Sequence, residues 1–175
     1  MNILGINAFH GDASACIIQN GELIAAVEEE RFTRIKHWAG FPAQSIQYCI
    51  KAANLQPQQL DHVAISYNPK ANLNRKVRFA LQKRPSLGSL LDRFKKQSKA
   101  SSVRDYLAEA CNCDSESLTA QFHSLEHHST HLACAFDISP FDQAAILSVD
   151  GMGDFVSTLM ASGSGSQITQ YSRIY

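Results

Sequence analysis

His127 and His131 stand four residues apart, and on a helix side chains at that separation lie one above the other, about 5 to 6 Å apart at Cβ. The spacing suits two imidazole ligands on one divalent ion. A stable site needs a third protein ligand, and on spacing alone two solvated or hydrogen-bonded histidines are the commoner outcome. The surrounding residues predict a short helix from Glu126 through Phe136. Ser124 is its candidate N-cap, Glu126 lies in the positive first turn, and Asp137-Ile138-Ser139-Pro140 ends it, because the residue before proline avoids helical geometry. At about 100° per residue, Leu125, Leu132 and Phe136 form an apolar stripe, with His127, His131 and Cys134 on the opposite side and His128 about 100° from His127.

Three further stretches carry chemistry. His10-Gly11-Asp12 offers a base and an anion beside a glycine that lets a ligand approach the backbone, although Gly and Asp are also ordinary turn residues. The connection from Glu28 to Pro42 packs Arg31, Arg34, Lys36 and His37 among aromatics. It reads equally as a phosphate clamp and as solvated charge. Asp150-Gly151-Met152-Gly153-Asp154 repeats the acid-and-glycine pattern of the first turn.

The elements that must position these residues follow from periodicity. Strands are expected over Asn2 to Asn7, Ala13 to Gln19 and Glu22 to Glu28, with Asn20-Gly21 as a type I′ hairpin turn. Pro42 opens a helix to Ala53 with Asn54 as its C-terminal cap. Asp61 to Tyr67 and Leu118 to Phe122 are two more strands. Helices are expected over Leu73 to Gln82, Leu87 to Lys96 and Val103 to Cys111. Ala144 to Asp150, Phe155 to Ala161 and Gln167 to Tyr175 repeat the opening meander. The order is βββαβαβα followed by βββ, so residues 1–138 form one mixed α/β unit and 142–175 begin a second. In two-lobed ATPases the paired hairpins hold nucleotide phosphates, through glycine N–H groups and a carboxylate that acts directly or through a metal.

At 175 residues and 45% hydrophobic, the chain can bury one substantial core. It has no run of about 18 apolar residues and no basic, then apolar, leader pattern, so a cytoplasmic location without a membrane is expected. Five scattered cysteines fit reduced thiols, and Cys111-Asn112-Cys113 reads as helix-end packing. Net charge is zero, yet ten basic residues between Lys70 and Lys99 face Asp92 alone. The 70–110 region reads as a basic helical insertion. Nucleic acid is the less favoured partner, since Phe79 and Phe94 give little aromatic interleaving.

Gly5-Ile-Asn-Ala-Phe-His10-Gly-Asp12, Glu28-Glu-Glu-Arg-Phe-Thr-Arg-Ile-Lys36-His37 with Gly40-Phe41-Pro42, His127-His128-x-x-His131-x-x-x-Ala135-Phe136 and Val149-Asp150-Gly-x-Gly153-Asp154, in that order, resemble the amino-terminal domain of NodU/CmcH-type carbamoyltransferases. The resemblance implies a fold of the actin and sugar-kinase, ribonuclease H-like, type. It implies transfer of a carbamoyl group from carbamoyl-adenylate, made from carbamoyl phosphate and ATP in a YrdC-like domain, to a small-molecule hydroxyl acceptor. His127 and His131 then match two ligands of a divalent metal, usually ferrous iron. His10 and Asp12 match the first hairpin, where the histidine is a candidate base. Lys36, with Arg31, matches the cationic loop near the carbamoyl-adenylate, and Asp150, Gly151 and Gly153 match the second phosphate hairpin. Gly11 separates His10 from Asp12, where family members read His-Asp directly. The family's third metal ligand, an aspartate in the second lobe, and the YrdC-like domain are expected beyond Tyr175, so this chain alone is not expected to catalyse. A homodimer is an open option. The alternative is a non-catalytic nucleotide- or tRNA-binding module, whose binding would weaken steeply with salt.

Overall fold

The computed structural model describes residues 1–68, 71, 72, 74, 75, 78 and 102–175. Most of the helix expected over Leu73 to Gln82 and all of that expected over Leu87 to Lys96, and with them most of the basic stretch, lie outside the described residues. The chain divides into two compact units, Met1–Ser66 with Ser86–Ser124 and Tyr67–Pro85 with Leu125–Tyr175.

In the first unit, β1 (Asn2–Asn7), β2 (Ser14–Gln19) and β3 (Glu22–Glu28) form the expected antiparallel meander. Asn20 and Gly21 both take positive φ, 53° and 89°, as a type I′ turn requires. Helices α1 (Glu30–Thr33) and α2 (Ala43–Ala52) lead to β4 (His62–Ile65), and α3 (Val103–Cys111) leads to β5 (Gln121–Ser124). The sheet order is β3-β2-β1-β4-β5, with β1 parallel to β4 and β4 parallel to β5. This is the ribonuclease H-like arrangement that the resemblance implies. Alternation places Leu4 and Ile6 of β1, Ile17 of β2 and Val63 and Ile65 of β4 in one core with Ile46, Cys49 and Ile50 of α2 and Leu107 of α3. Each such fully buried aliphatic side chain contributes about 1.5 to 3 kcal/mol. Burial pushes the Cys49 and Cys111 thiols up to about 11, so neither is a thiolate near neutrality.

Two local expectations shift. The fifth strand runs over Gln121–Ser124 rather than Leu118 to Phe122. Leu118 instead follows a 3-10 turn at Ser115–Ser117 and is fully buried. Helix α2 begins after Pro42 without a cap from its own N-cap side chain. Glu29 supplies the cap: its buried carboxylate accepts from the Gln44 and Ser45 amides at 3.1 and 2.8 Å and from the Ser45 hydroxyl at 2.7 Å. The acidic run before the cationic loop therefore has a structural task.

The second unit is the three-stranded meander of β6 (Gln143–Gly153), β7 (Val156–Ser164) and β8 (Gln167–Ile174), a sheet separate from the first. Helix α4 (His127–Asp137) packs on β6 and β7. It lies with the second sheet, whereas the sequence pattern closed the first lobe at residue 138. Leu132 and Phe136 meet Ile146, Val156, Leu159 and Ala161 to form this unit's core.

Candidate metal centre

The N-cap of helix α4 lies two residues beyond Ser124, which instead pairs with Ile65 at the end of β5. Its N-cap is Glu126, whose longer carboxylate reaches the His128 and Ser129 amides at 3.3 and 2.8 Å and the Ser129 hydroxyl at 2.7 Å. The apolar stripe also differs from the expected one. Leu125 is exposed, and His128 takes the buried position one turn before Leu132. His127 and His131 are left on the other side, as the helical spacing predicts.

The β6–β7 connection brings a carboxylate to these two imidazoles. Strand β6 extends to Gly153, with an irregular register between Val149 and Gly153, and the turn falls at Asp154 and Phe155, both at positive φ. Asp154 ties the turn to the helix: its carboxylate accepts from the His127 amide at 3.0 Å and from the Asn68 amide at 3.1 Å. Gly153 provides a seat for the His127 ring, since a Cβ on this residue would lie 2.0 Å from the ring's Cδ2. Gly153 therefore makes room for an imidazole, where the sequence pattern expected it to present backbone to phosphate.

Among the described residues, His127, His131 and Asp150 form a group whose ligand atoms all lie within 4.8 Å of one another. The His127 Nε2 lies 2.7 Å from Asp150 Oδ2 and 3.0 Å from His131 Nε2, and His131 Nε2 lies 3.7 Å from Asp150 Oδ2. Donors about 2.1 Å from one ion are separated by ~3.0 to 3.4 Å at octahedral to tetrahedral angles, so the three atoms fit one divalent cation with modest adjustment. Two imidazoles and a carboxylate on one side of the ion, with other positions open, suit a first-row divalent metal. Asp150, assigned by sequence to a phosphate hairpin, thus lies in the position of a third ligand.

Electrostatics favour the deprotonated forms of His131 and Asp150. Burial of its inner edge, reinforced by His127, holds His131 below the ordinary imidazole range, although half of the side chain remains exposed. The Gly151 N–H, which donates to Asp150 Oδ1 at 2.6 Å, and His127 next hold the Asp150 carboxyl below its usual range.

The first unit carries the other predicted residues. His10 turns its Nδ1 toward the Gly11 carbonyl oxygen at 3.3 Å, and its Nε2 is buried. Asp12 instead pairs with His37, Oδ1 to Nδ1 at 2.9 Å. Their loops are joined by Ala13 N–H to the Trp38 carbonyl at 3.0 Å and Phe9 N–H to the Gly40 carbonyl at 3.2 Å. Phe9, Asp12, Arg34 and His37 all take positive φ, a concentration of strained backbone that accompanies functional loops. Lys36 is exposed beside His37, and Arg31 is shared between Glu28 and Glu30 at 3.5 and 3.6 Å. Sequence reasoning placed His37 in the cationic clamp and Asp150 in a phosphate hairpin; it missed the pairing of His37 with Asp12 and the approach of Asp150 to His127 and His131.

Residues 2–175 match the family described as Carbamoyltransferase N-terminus. The chain belongs to this carbamoyltransferase family. Its relatives include protein sll1178 of Synechocystis sp., 36% identical over 99% of this chain and 29% of that protein. They also include nodulation protein NolNO of Sinorhizobium fredii, 36% identical over 93% of this chain and 22% of that protein. The chain therefore spans under a third of the length of these relatives. Among solved structures, YeaZ from Pseudomonas aeruginosa superposes with a TM-score of 0.48 at 12% identity, over 98% of this chain and 64% of that one. Among the described residues no helix is long and apolar enough to cross a membrane.

Proposed function

We propose that the chain is the amino-terminal part of an O-carbamoyltransferase that moves a carbamoyl group from carbamoyl-adenylate, formed from carbamoyl phosphate and ATP, to an acceptor hydroxyl. The observation that carries this reading is the convergence of His127, His131 and Asp150 in a chain of the carbamoyltransferase family. A divalent ion bound there, ferrous iron by the resemblance, would supply Lewis acidity to a carbonyl under attack. His127 and His131 would hold it through imidazole nitrogens, and Asp150 would bring the negative charge. In the first unit, Asp12 fixes His37 through Nδ1 and leaves the exposed ring's Nε2 to take the acceptor's proton, an orientation of base by carboxylate that a buried His10 Nε2 does not offer. Lys36 and Arg31 supply positive charge for the adenylate phosphate, and Gly151 holds Asp150 through its N–H.

Calorimetric titration of the chain with zinc or cobalt tests the centre. One site per chain is expected, lost in His131→Ala. The same isotherm in both proteins would remove these residues from metal binding. In the full-length protein, label from carbamoyl phosphate should reach a hydroxyl compound only with ATP and metal present, and transfer that is indifferent to ATP would refute the adenylate route.

A further inference from the structure

We infer that His128 is the positioning residue of the metal centre, clamping the ligand-bearing helix to both strands that flank the Asp150 turn. The inference rests on the metal reading above and concerns what sets the distance between its ligands. His128 lies between the two ligand histidines in sequence but faces the core, with no exposed surface. An imidazole with no exposed surface, on the helix that also buries Leu132 and Phe136, is costly unless both nitrogens are satisfied, and both are. Nε2 lies 2.8 Å from the Val156 carbonyl oxygen, and Nδ1 lies 2.8 Å from the Ser148 hydroxyl. A carbonyl only accepts, so Nε2 carries a hydrogen and donates to Val156, while Nδ1 is paired with a hydroxyl able to meet it in either direction.

The two partners explain the role. Ser148 precedes Asp150 by two residues on β6, and Val156 is the first residue of β7. One buried ring therefore spans α4, the strand that delivers Asp150 and the strand that receives the chain after the turn. An aliphatic side chain would fill the same space, but apolar contact is non-directional and would let the helix slide or rotate against β6. Two directed hydrogen bonds permit one register, the one in which His127 and His131 meet Asp150. Hydrogen bonds made directly to metal ligands hold them in place; here the hold is one step removed, through the helix and strand backbones that carry the ligands.

The test compares wild type, the double variant His128→Leu with Ser148→Ala, Ser148→Ala alone, and His128→Gln. The double variant removes both polar partners of the side-chain pair, which keeps core burial and limits destabilisation. Cobalt(II) is the probe, followed by its visible absorption, with the thermal midpoint of each apo chain measured in parallel. Expected for the double variant is a folded apo chain whose cobalt affinity falls about 10- to 100-fold with an altered spectrum. His128→Gln, which keeps a donor for the Val156 carbonyl, should recover part of both. A folded variant that binds cobalt within about tenfold of wild type, with an unaltered spectrum, would show that His128 is merely a core residue. If the double variant does not fold, Ser148→Ala is judged by the same criteria. Failure of wild type to take up cobalt would refute the metal reading itself, and this inference with it.

Discussion

Replacing Gly153 with alanine places a methyl group where the His127 ring now lies. The added Cβ would stand 2.0 Å from Cδ2, 2.5 Å from Cγ and 2.9 Å from Cβ of His127. Carbon atoms settle about 3.5 to 4.0 Å apart, so the ring must retreat by about 1.5 Å. The backbone has little room to yield. Gly153 pairs with Val156 across the turn, and Asp154 is held by the His127 and Asn68 amides. Metal sites tolerate about 0.2 Å in ligand distance, so His127 leaves the coordination sphere and only His131 and Asp150 remain. Metal affinity should fall at least about 100-fold, or about 2.7 kcal/mol, while overpacking costs the apo fold about 1 to 3 kcal/mol. Gly151→Ala is the control, since an added Cβ there meets nothing within 4 Å and its N–H to Asp150 survives. Titration with zinc or cobalt, beside thermal unfolding of the apo chains, reads both effects. Wild-type affinity in Gly153→Ala would refute the seat. Equal losses in both variants would show that contact with the His127 ring is not what the substitution disturbs.

Acid should destabilise the apo chain. His131 is held below the ordinary imidazole value and Asp150 below the ordinary carboxyl value, so in each case the unfolded chain takes the proton first. Stability should begin to fall as pH drops through about 6.5, with the Asp150 contribution lost below about 4. Thermal scans from about pH 8 to 5 should show a shallower slope for His131→Ala, and an identical slope would sink the assignment. Glu29→Ala, which strips the cap from α2, should cost about 1 to 3 kcal/mol and lower the thermal midpoint without changing metal affinity; a loss of metal binding would contradict the division into two units. If the full-length protein runs the proposed reaction, His37→Gln should slow carbamoyl transfer about 10² to 10⁴-fold and leave adenylate formation intact, whereas His10→Gln should slow transfer by much less. The reverse ranking would restore His10 as base.

What was legible in the sequence was local. Asn20-Gly21 specifies its own turn, so the opening meander lies where expected. The four-residue spacing of His127 and His131 is sufficient to pair them on any helix. What was not legible depends on residues distant in sequence. Asp150 becomes a candidate ligand only because the irregular end of β6 turns it toward α4, and nothing in Asp150-Gly151-x-Gly153 distinguishes that outcome from a phosphate turn. Glu29 caps a helix that begins 14 residues later, which no capping motif of adjacent residues reports. Glu126 displaced Ser124 as N-cap because β5 pairing claims Ser124. His128 left a faint signal, four and eight residues before Leu132 and Phe136, but its polar type concealed its place on the apolar stripe.

The three candidate ligands lie within a single stretch of 24 residues, one helix and the strand that follows it. An ion held by all three would act as a cross-link closing a loop of that length. By analogy with a covalent staple, such a closure removes about 3 kcal/mol of chain entropy from the unfolded ensemble. Because α4 and the meander form one compact unit, this gain falls on the same unit that carries the ligands. Metal supply would then govern how long the helix–hairpin unit survives as well as whether it reacts. Chelation should lower its unfolding barrier and expose it to proteolysis before the five-stranded sheet.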